Sequence, residues 1–344
     1  AALRLVDTPE EIMGYSLTYI RIYFGGIIFS LIYNIGSGIL RAVGDAKRPL
    51  YFLIVCCLVN VALDLLFVVV FHWGVAGVAV ATMLSQTVSA VLVWVTLTKT
   101  TRIYRLHPRR IRFDLPILRD IIRIGIPAGL QSVMYSLSNL VVQASINAFG
   151  TDTIAAWTAY GKIDGIFWMI MGAFGVSITT FAGQNFGAKK YDRLRQSVRV
   201  CTAMAMGTAL FMGALVVLAG PTIYRLFTTD AAVVDIGMAM VRIISPFYFT
   251  YVLVEVLSGA TRGAGDSLMP MLLTCLGACI LRIVWVQVAV PLAREVRTVC
   301  LAYPITWTVT SLLFLIYYLH GGWLRRRIAK AEAAEASLEQ TPQP

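Results

Sequence analysis

Long apolar runs separated by basic clusters restrict this chain more than any other feature it has. About 20 apolar residues in a helix cross the hydrocarbon core of a bilayer. The sequence holds nine runs of that order, roughly 15–40, 49–71, 75–98, 118–148, 153–182, 198–219, 232–260, 268–291 and 298–319. Lipid offers no partner to an unpaired backbone group, so such runs cross as helices or as strands of a closed barrel. The strict alternation of barrel strands is missing, which leaves helices. Composition agrees, with 58% hydrophobic and only 14% charged residues in a chain of 344. The expected fold class is an all-α polytopic membrane protein of nine transmembrane helices.

The formal net charge of +11 is a topology signal and not a nucleic-acid footprint. Of the 29 Lys and Arg, Arg4, Arg225, Arg294 and Arg297 lie on one side, and Arg21, Lys162, Arg242 and Arg282 lie inside spans. All the others fall in the loops after spans one, three, five and seven, or near the C-terminus. By the positive-inside rule that rich side is cytoplasmic, and the C-terminus is expected there. The six cysteines sit in or beside apolar spans with no disulfide spacing, and His72, His107 and His320 are scattered. Core packing is the expected role of the cysteines, and no metal cluster is expected. The polar, Ala/Glu-rich tail, 326–344, is expected to be frayed or disordered.

An internal repeat organises these helices. Residues 37–49, SGILRAVGDAKRP, and 258–270, SGATRGAGDSLMP, share S-G-x-x-R-x-x-G-D-x-x-x-P at a constant offset of 221. The register continues upstream through Arg4-Leu5, Thr8 and Arg21-Ile22, which match Arg225-Leu226, Thr229 and Arg242-Ile243. It continues downstream through Ala81 with Ala302 and Thr87-Val88 with Thr308-Val309. Spans one to three therefore correspond to spans seven to nine, while spans four to six have no upstream counterpart. The motif predicts a helix ending near Arg41 or Arg262, a tight Gly-Asp turn, and a Pro opening the next helix.

Polar groups at membrane depth are costly, so each is a candidate site. Asn60 and Asp64 share one helix face in span two and offer either oxygen ligands for a small cation or a seat for a proton. Gln131, Tyr135, Asn139, Gln143 and Asn147 recur every four residues in span four, as a cavity wall or as interhelical glue. Glu255 in span seven and Arg282 in span eight are expected to pair, as a structural ion pair or a coupling carboxylate. Lys162 and Asp164, near the start of span five, read as interfacial. Pro127 and Pro246 are expected to kink their helices. No Ser/His/Asp set, metal cluster or phosphate loop marks an enzyme.

The segments YNIGSGILRAVGDAKRPLYFLIVCCLVNVALDLLF, GVAGVAVATMLSQ, FAGQNFGAKKYDRLRQ and EVLSGATRGAGDS resemble, in order and spacing, those of the multidrug and toxic compound extrusion (MATE) transporters. The resemblance implies a twelve-helix, two-lobe fold of which this chain lacks the first three helices. It would then comprise half of an N-lobe (1–99), a basic cytoplasmic linker (100–117), a six-helix C-lobe (118–325) and the tail. The implied activity is export of small organic, often cationic drugs in exchange for Na⁺ or H⁺, with no other cofactor. It would act by alternating access, in a monomer in a bacterial inner membrane. The family's N-lobe cation site maps onto Asn60, Asp64 and Thr82, with a further Asp upstream of residue 1. Some members use a C-lobe carboxylate, and Glu255 lies in the corresponding helix. The alternatives are a flippase for lipid-linked saccharide precursors and an inactive truncated fragment.

Overall fold

A computed structural model describes residues 10–320 and 322–339, and these contain helices and turns but no strand. The chain divides into two compact units, Ala1–Phe113 and Asp114–Pro344, a division that falls inside the basic segment 100–117. The first unit contains α1 (Glu10–Gly25), α2 (Ile27–Ala42), α3 (Lys47–Asp64) and α4 (Gly74–Lys99). The second contains α5 (Leu115–Asn147), α6 (Thr151–Gly187), α7 (Tyr191–Arg225), α8 (Ala231–Ile244), α9 (Tyr248–Gly263), α10 (Leu268–Thr274), α11 (Leu281–Leu292), α12 (Val296–His320) and α13 (Trp323–Glu339). The upstream repeat matches at Arg4-Leu5 and Thr8, and the tail end 340–344, lie outside the described residues.

Seven helical runs are long and apolar enough to cross a bilayer, and the pair 12–25 and 27–42 makes an eighth. The expected span 118–148 is present as α5, whose 33 residues have the length. Its polar stripe and the Arg119, Asp120 and Arg123 group make it less apolar than the rest. The expected single span 15–40 is bent by 46° between α1 and α2. Gly26 sits at the bend, where a Cβ would run into Met83 of α4, so the missing side chain is what lets α4 come close.

The repeat motif folds the same way twice. Gly44 and Gly265 have φ of 87° and 81°, a conformation that costs an L-residue with a Cβ about 1–2 kcal/mol. The Asp45 N–H donates to Leu40 O at 2.9 Å and the Asp266 N–H to Thr261 O at 3.0 Å, closing each helix end. The carboxylates then cap the next helix, Asp45 Oδ1 accepting from Arg48 N at 3.2 Å and Asp266 Oδ1 from Met269 N at 3.4 Å. Pro49 and Pro270 stand in the first turns, as the motif predicts. Downstream the copies diverge. A π-helical stretch covers Leu65–Val70 after α3 but Cys275–Ile280 between α10 and α11, which is not the same register.

The second unit is built on a close seam between α6 and α9. A Cβ on Gly259 would meet Ile178 Cγ2 at 2.7 Å and Gly175 O at 2.9 Å, and one on Gly263 would collide with Thr179 O. Bare backbone at such positions is how membrane helices approach closely, because lipid gives them no hydrophobic reason to associate. Around the seam, Phe167 stacks on Tyr248 with centroids 3.9 Å apart. Pro127 leaves α5 continuous, and Pro246 sits in a single 3₁₀ turn, Ser245–Phe247, inside a run that still counts as one span.

The tail also departs from expectation, because α13 carries the helix through to Glu339. Trp323 and Leu324 are buried, and Arg327 Nε donates to Ala264 O at 3.0 Å, satisfying a carbonyl at the end of α9. Two apolar residues and one anchored guanidinium thus order a segment whose composition alone is that of a solvated helix.

Substituting Gly44→Ala or Gly265→Ala is expected to destabilise the protein by about 1–2 kcal/mol, read as a lower thermal midpoint in detergent. Gly172→Ala, where nothing lies within 4 Å of the new Cβ, should leave the midpoint unchanged or raise stability by up to about 1 kcal/mol. Gly259→Ala should behave like the turn variants, because its Cβ enters the seam.

Candidate functional site

In the first unit, Asn60 and Asp64 occupy the final turn of α3, and the π-helical stretch begins at the next residue. The register against α4 is marked by the Cys56 thiol, which donates to Ser85 O at 3.2 Å. Thr82 is one turn before Ser85 on α4, and its hydroxyl donates to Val78 O at 2.9 Å, leaving its lone pairs free to accept. Asn60 Nδ2 and Asp64 Oδ1 are buried without a hydrogen-bond partner. A half-turn of the Asn60 amide presents an acceptor in the same place. A carboxylate, an amide and a hydroxyl of this kind suit a small oxygen-liganded cation, and the carboxylate alone suits a proton.

The second unit contains an open cavity of about 530 Å³. Three residues of the polar stripe line it, Tyr135, Asn139 and Gln143. Gln131 does not. Its Nε2 donates to Thr274 Oγ1 of α10 at 3.4 Å, so this member of the stripe ties two helices together. Asn147 accepts from Gln143 Nε2 at 2.8 Å. The other walls are aromatic, with Trp157, Tyr160 and Trp168 from α6, Tyr251 from α9 and Tyr303 from α12. Trp168 and Tyr251 meet edge-to-face at 4.6 Å between centroids, a favoured geometry.

Among the described residues, two charged groups face this cavity, Asp164 and Arg282. Asp164 accepts from Trp168 Nε1 at 2.6 Å, Tyr248 Oη at 2.7 Å and Tyr160 Oη at 3.3 Å. Arg282, only 2% exposed, donates to Asn139 Oδ1 at 3.2 Å and Thr306 Oγ1 at 3.4 Å, and its guanidinium carbon lies 4.2 Å above the Tyr303 ring. Asp164 faces the cavity because Tyr160, Asp164 and Trp168 sit at i, i+4 spacing on one face of α6. That spacing of aromatic donors around an acid was the signal in the sequence. Lys162, two residues away, is exposed and does not line the cavity.

The expected pairing of Glu255 with Arg282 is corrected. Glu255 Oε2 accepts from Tyr251 Oη at 3.0 Å, and Oε1 lies 4.0 Å from Arg262 Nη2. Its carboxylate rests where a Cβ on Gly175 would stand. Both polar partners lie on its own helix, whereas Arg282 turns toward α5 and α12. Glu255 therefore touches the cavity only through Tyr251, whose hydroxyl holds the carboxylate and whose ring forms part of the wall.

Comparisons with known proteins agree with this architecture. The MatE family model matches residues 1–66 and 127–286. The probable multidrug resistance protein YpnP of Bacillus subtilis is 28% identical over 321 residues, covering 93% of this chain and 72% of the relative. The probable multidrug resistance protein NorM of Thermotoga maritima is 24% identical over 332 residues, covering 94% of this chain and 70% of its own. Among solved structures, a MATE protein in the bent conformation superposes with a TM-score of 0.85 at 22% identity, over 97% of this chain and 73% of that one. A MOP superfamily transporter from Pyrococcus furiosus gives 0.86 at 22% identity, over 95% and 73%. The two structures share the fold, and the family match, which takes in most of the chain, makes this protein a member of the MatE family of multidrug efflux transporters.

Proposed function

We propose that this protein is an antiporter that exports small organic, often cationic drugs by alternating access, driven by Na⁺ or H⁺ bound at Asn60, Asp64 and Thr82. The observation that carries the coupling site is the pair of orphaned buried atoms, Asn60 Nδ2 and Asp64 Oδ1, one helical turn apart. A buried polar atom without a partner is expensive, and a coupling ion supplies the partner in one facing state. Coupling then arises from the difference in ion and drug affinity between the two states. The protein's similarity to probable multidrug resistance proteins supports a drug as the exported species.

The cavity of the second unit is the proposed drug site. Six aromatic side chains and the Asp164 carboxylate suit a lipophilic cation. Among the described residues, Arg282 is the one Lys or Arg lining it. A flippase handling a pyrophosphate-linked lipid calls for more positive charge, which favours the drug-exporter reading. We assign the protein to a bacterial inner membrane with the basic loops and C-terminus cytoplasmic, and Glu255 to a second coupling role exerted through Tyr251.

Asp64→Asn is expected to abolish drug resistance in a sensitised host while expression stays intact; unchanged efflux would remove Asp64 from the mechanism. In proteoliposomes, an imposed Na⁺ gradient and an imposed pH gradient applied separately should identify the driving ion. Asp164→Asn should weaken uptake of a cationic probe such as tetraphenylphosphonium by about ten- to a hundredfold, in line with a lost charge-assisted contact of about 1.5–3 kcal/mol. The readout is the half-saturating concentration, with little change in the Asp64-dependent coupling.

A further inference from the structure

The C-terminal helix α13 begins three residues after the last span, at the depth where a bilayer gives way to water. Its opening sequence, Trp323-Leu324-Arg325-Arg326-Arg327, combines a buried apolar pair with three cations. Beside it lies a cavity of about 800 Å³. Its inner surface is apolar, formed by Met206 of α7, Leu253 and Leu257 of α9, and Leu315 and Leu319 of α12. Its rim is basic, with Arg195 and Arg199 of α7 and Arg325 of α13. Trp323 and Tyr318 form one wall, their rings 5.5 Å apart. Asp192, on the same turn of α7 as the rim, is already paired with Arg195 at 3.2 Å. No carboxylate among the described residues pairs with Arg199 or Arg325.

On the other side of the same helix is a second cavity of about 520 Å³, edged by Arg123, Arg326, Arg327 and Lys330. Its carboxylate, Asp266, is engaged by Tyr317 Oη at 3.0 Å and by Met269 N. Positive charge therefore surrounds the head of α13 on both sides, beyond what the neighbouring acids neutralise. A basic rim above an apolar slot, bordered by Trp and Tyr at the end of a span, has the chemistry of an anionic phospholipid: phosphate at the rim, acyl chain in the slot.

We propose that the cavity between α7, α9, α12 and α13 binds an anionic phospholipid, its phosphate held by Arg199 and Arg325 and its acyl chain lying along Leu253, Leu257 and Leu315. The bound lipid bridges α13 to α7, so it would stabilise the second unit and make the protein sensitive to the anionic content of its membrane.

The test uses the whole purified protein in detergent, titrated with phosphatidylglycerol, with phosphatidylcholine or with inorganic phosphate. Binding is read by native mass spectrometry and by the thermal midpoint. Phosphatidylglycerol should bind and raise the midpoint, and phosphatidylcholine should do neither at the same concentration. Each rim cation near a membrane surface is worth about fivefold in affinity, so Arg199→Gln with Arg325→Gln should weaken phosphatidylglycerol binding about 25-fold. Both side chains are exposed, so their loss does not disturb packing. Arg199→Lys with Arg325→Lys should keep the lipid preference, and Arg109→Gln with Arg110→Gln, an equal charge change elsewhere, should leave it intact. Equal binding of the two lipids, unchanged binding in the double Gln variant, or a full effect from inorganic phosphate alone would each overturn the proposal.

Discussion

The glycine seam between α6 and α9 is the contact on which the second unit depends. Between membrane helices there is no expulsion of water to drive packing, so close approach has to come from surfaces that fit. Gly175, Gly183, Gly259 and Gly263 remove the side chains that would hold the two backbones apart. The consequence is chemical as well as mechanical. With the helices this close, Tyr248 of α9 reaches Asp164 of α6, and Tyr251, whose hydroxyl holds Glu255 of its own helix, meets Trp168 edge-to-face in the aromatic wall of the cavity. The seam even seats the Glu255 carboxylate against the bare backbone of Gly175.

Buried charge is handled differently in the two units. In the second, these charges have protein partners: Asp164 has three donors, Arg282 has two acceptors and an aromatic face, though its Nε is unpaired, and Glu255 has Tyr251 and Arg262. In the first, Asn60 and Asp64 keep atoms without partners. A carboxylate ringed by donors holds a shape, whereas one with an orphaned oxygen keeps hydrogen-bonding capacity that a ligand can use. The repeat sharpens this contrast. The positions matching Asn60 and Asp64 are Leu281 and Trp285, and Trp285 Nε1 simply donates to Thr298 O at 2.8 Å across to α12. One copy has put a structural bond where the other keeps a carboxylate.

The head of α13 extends the same logic to the membrane boundary. Arg327 stitches the tail onto the end of α9, at the very turn that the repeat motif builds with Gly265 and Asp266. The shared shape of that turn in both copies, down to the Asp cap on the next helix, is a local property of the motif. The cations gathered on its outer side belong to the tail that only the second copy has beside it.

Helical class, span placement and the two Gly-Asp turns were legible in the sequence, because hydropathy, charge distribution and turn chemistry act over a few neighbouring residues. The stripe on α5 was legible too, since a period of four needs only one helix. Which of its members would face a cavity was not: Gln131 and Tyr135 differ by one turn, yet one bonds Thr274 and the other lines the pocket. The same limit explains Arg282, which bonds Asn139 across 143 positions of chain and not Glu255. Sequence alone determined that these polar groups lie within apolar helices and must find partners there. Only the tertiary structure decided which partners, because that choice depends on the rotation and depth at which each helix packs.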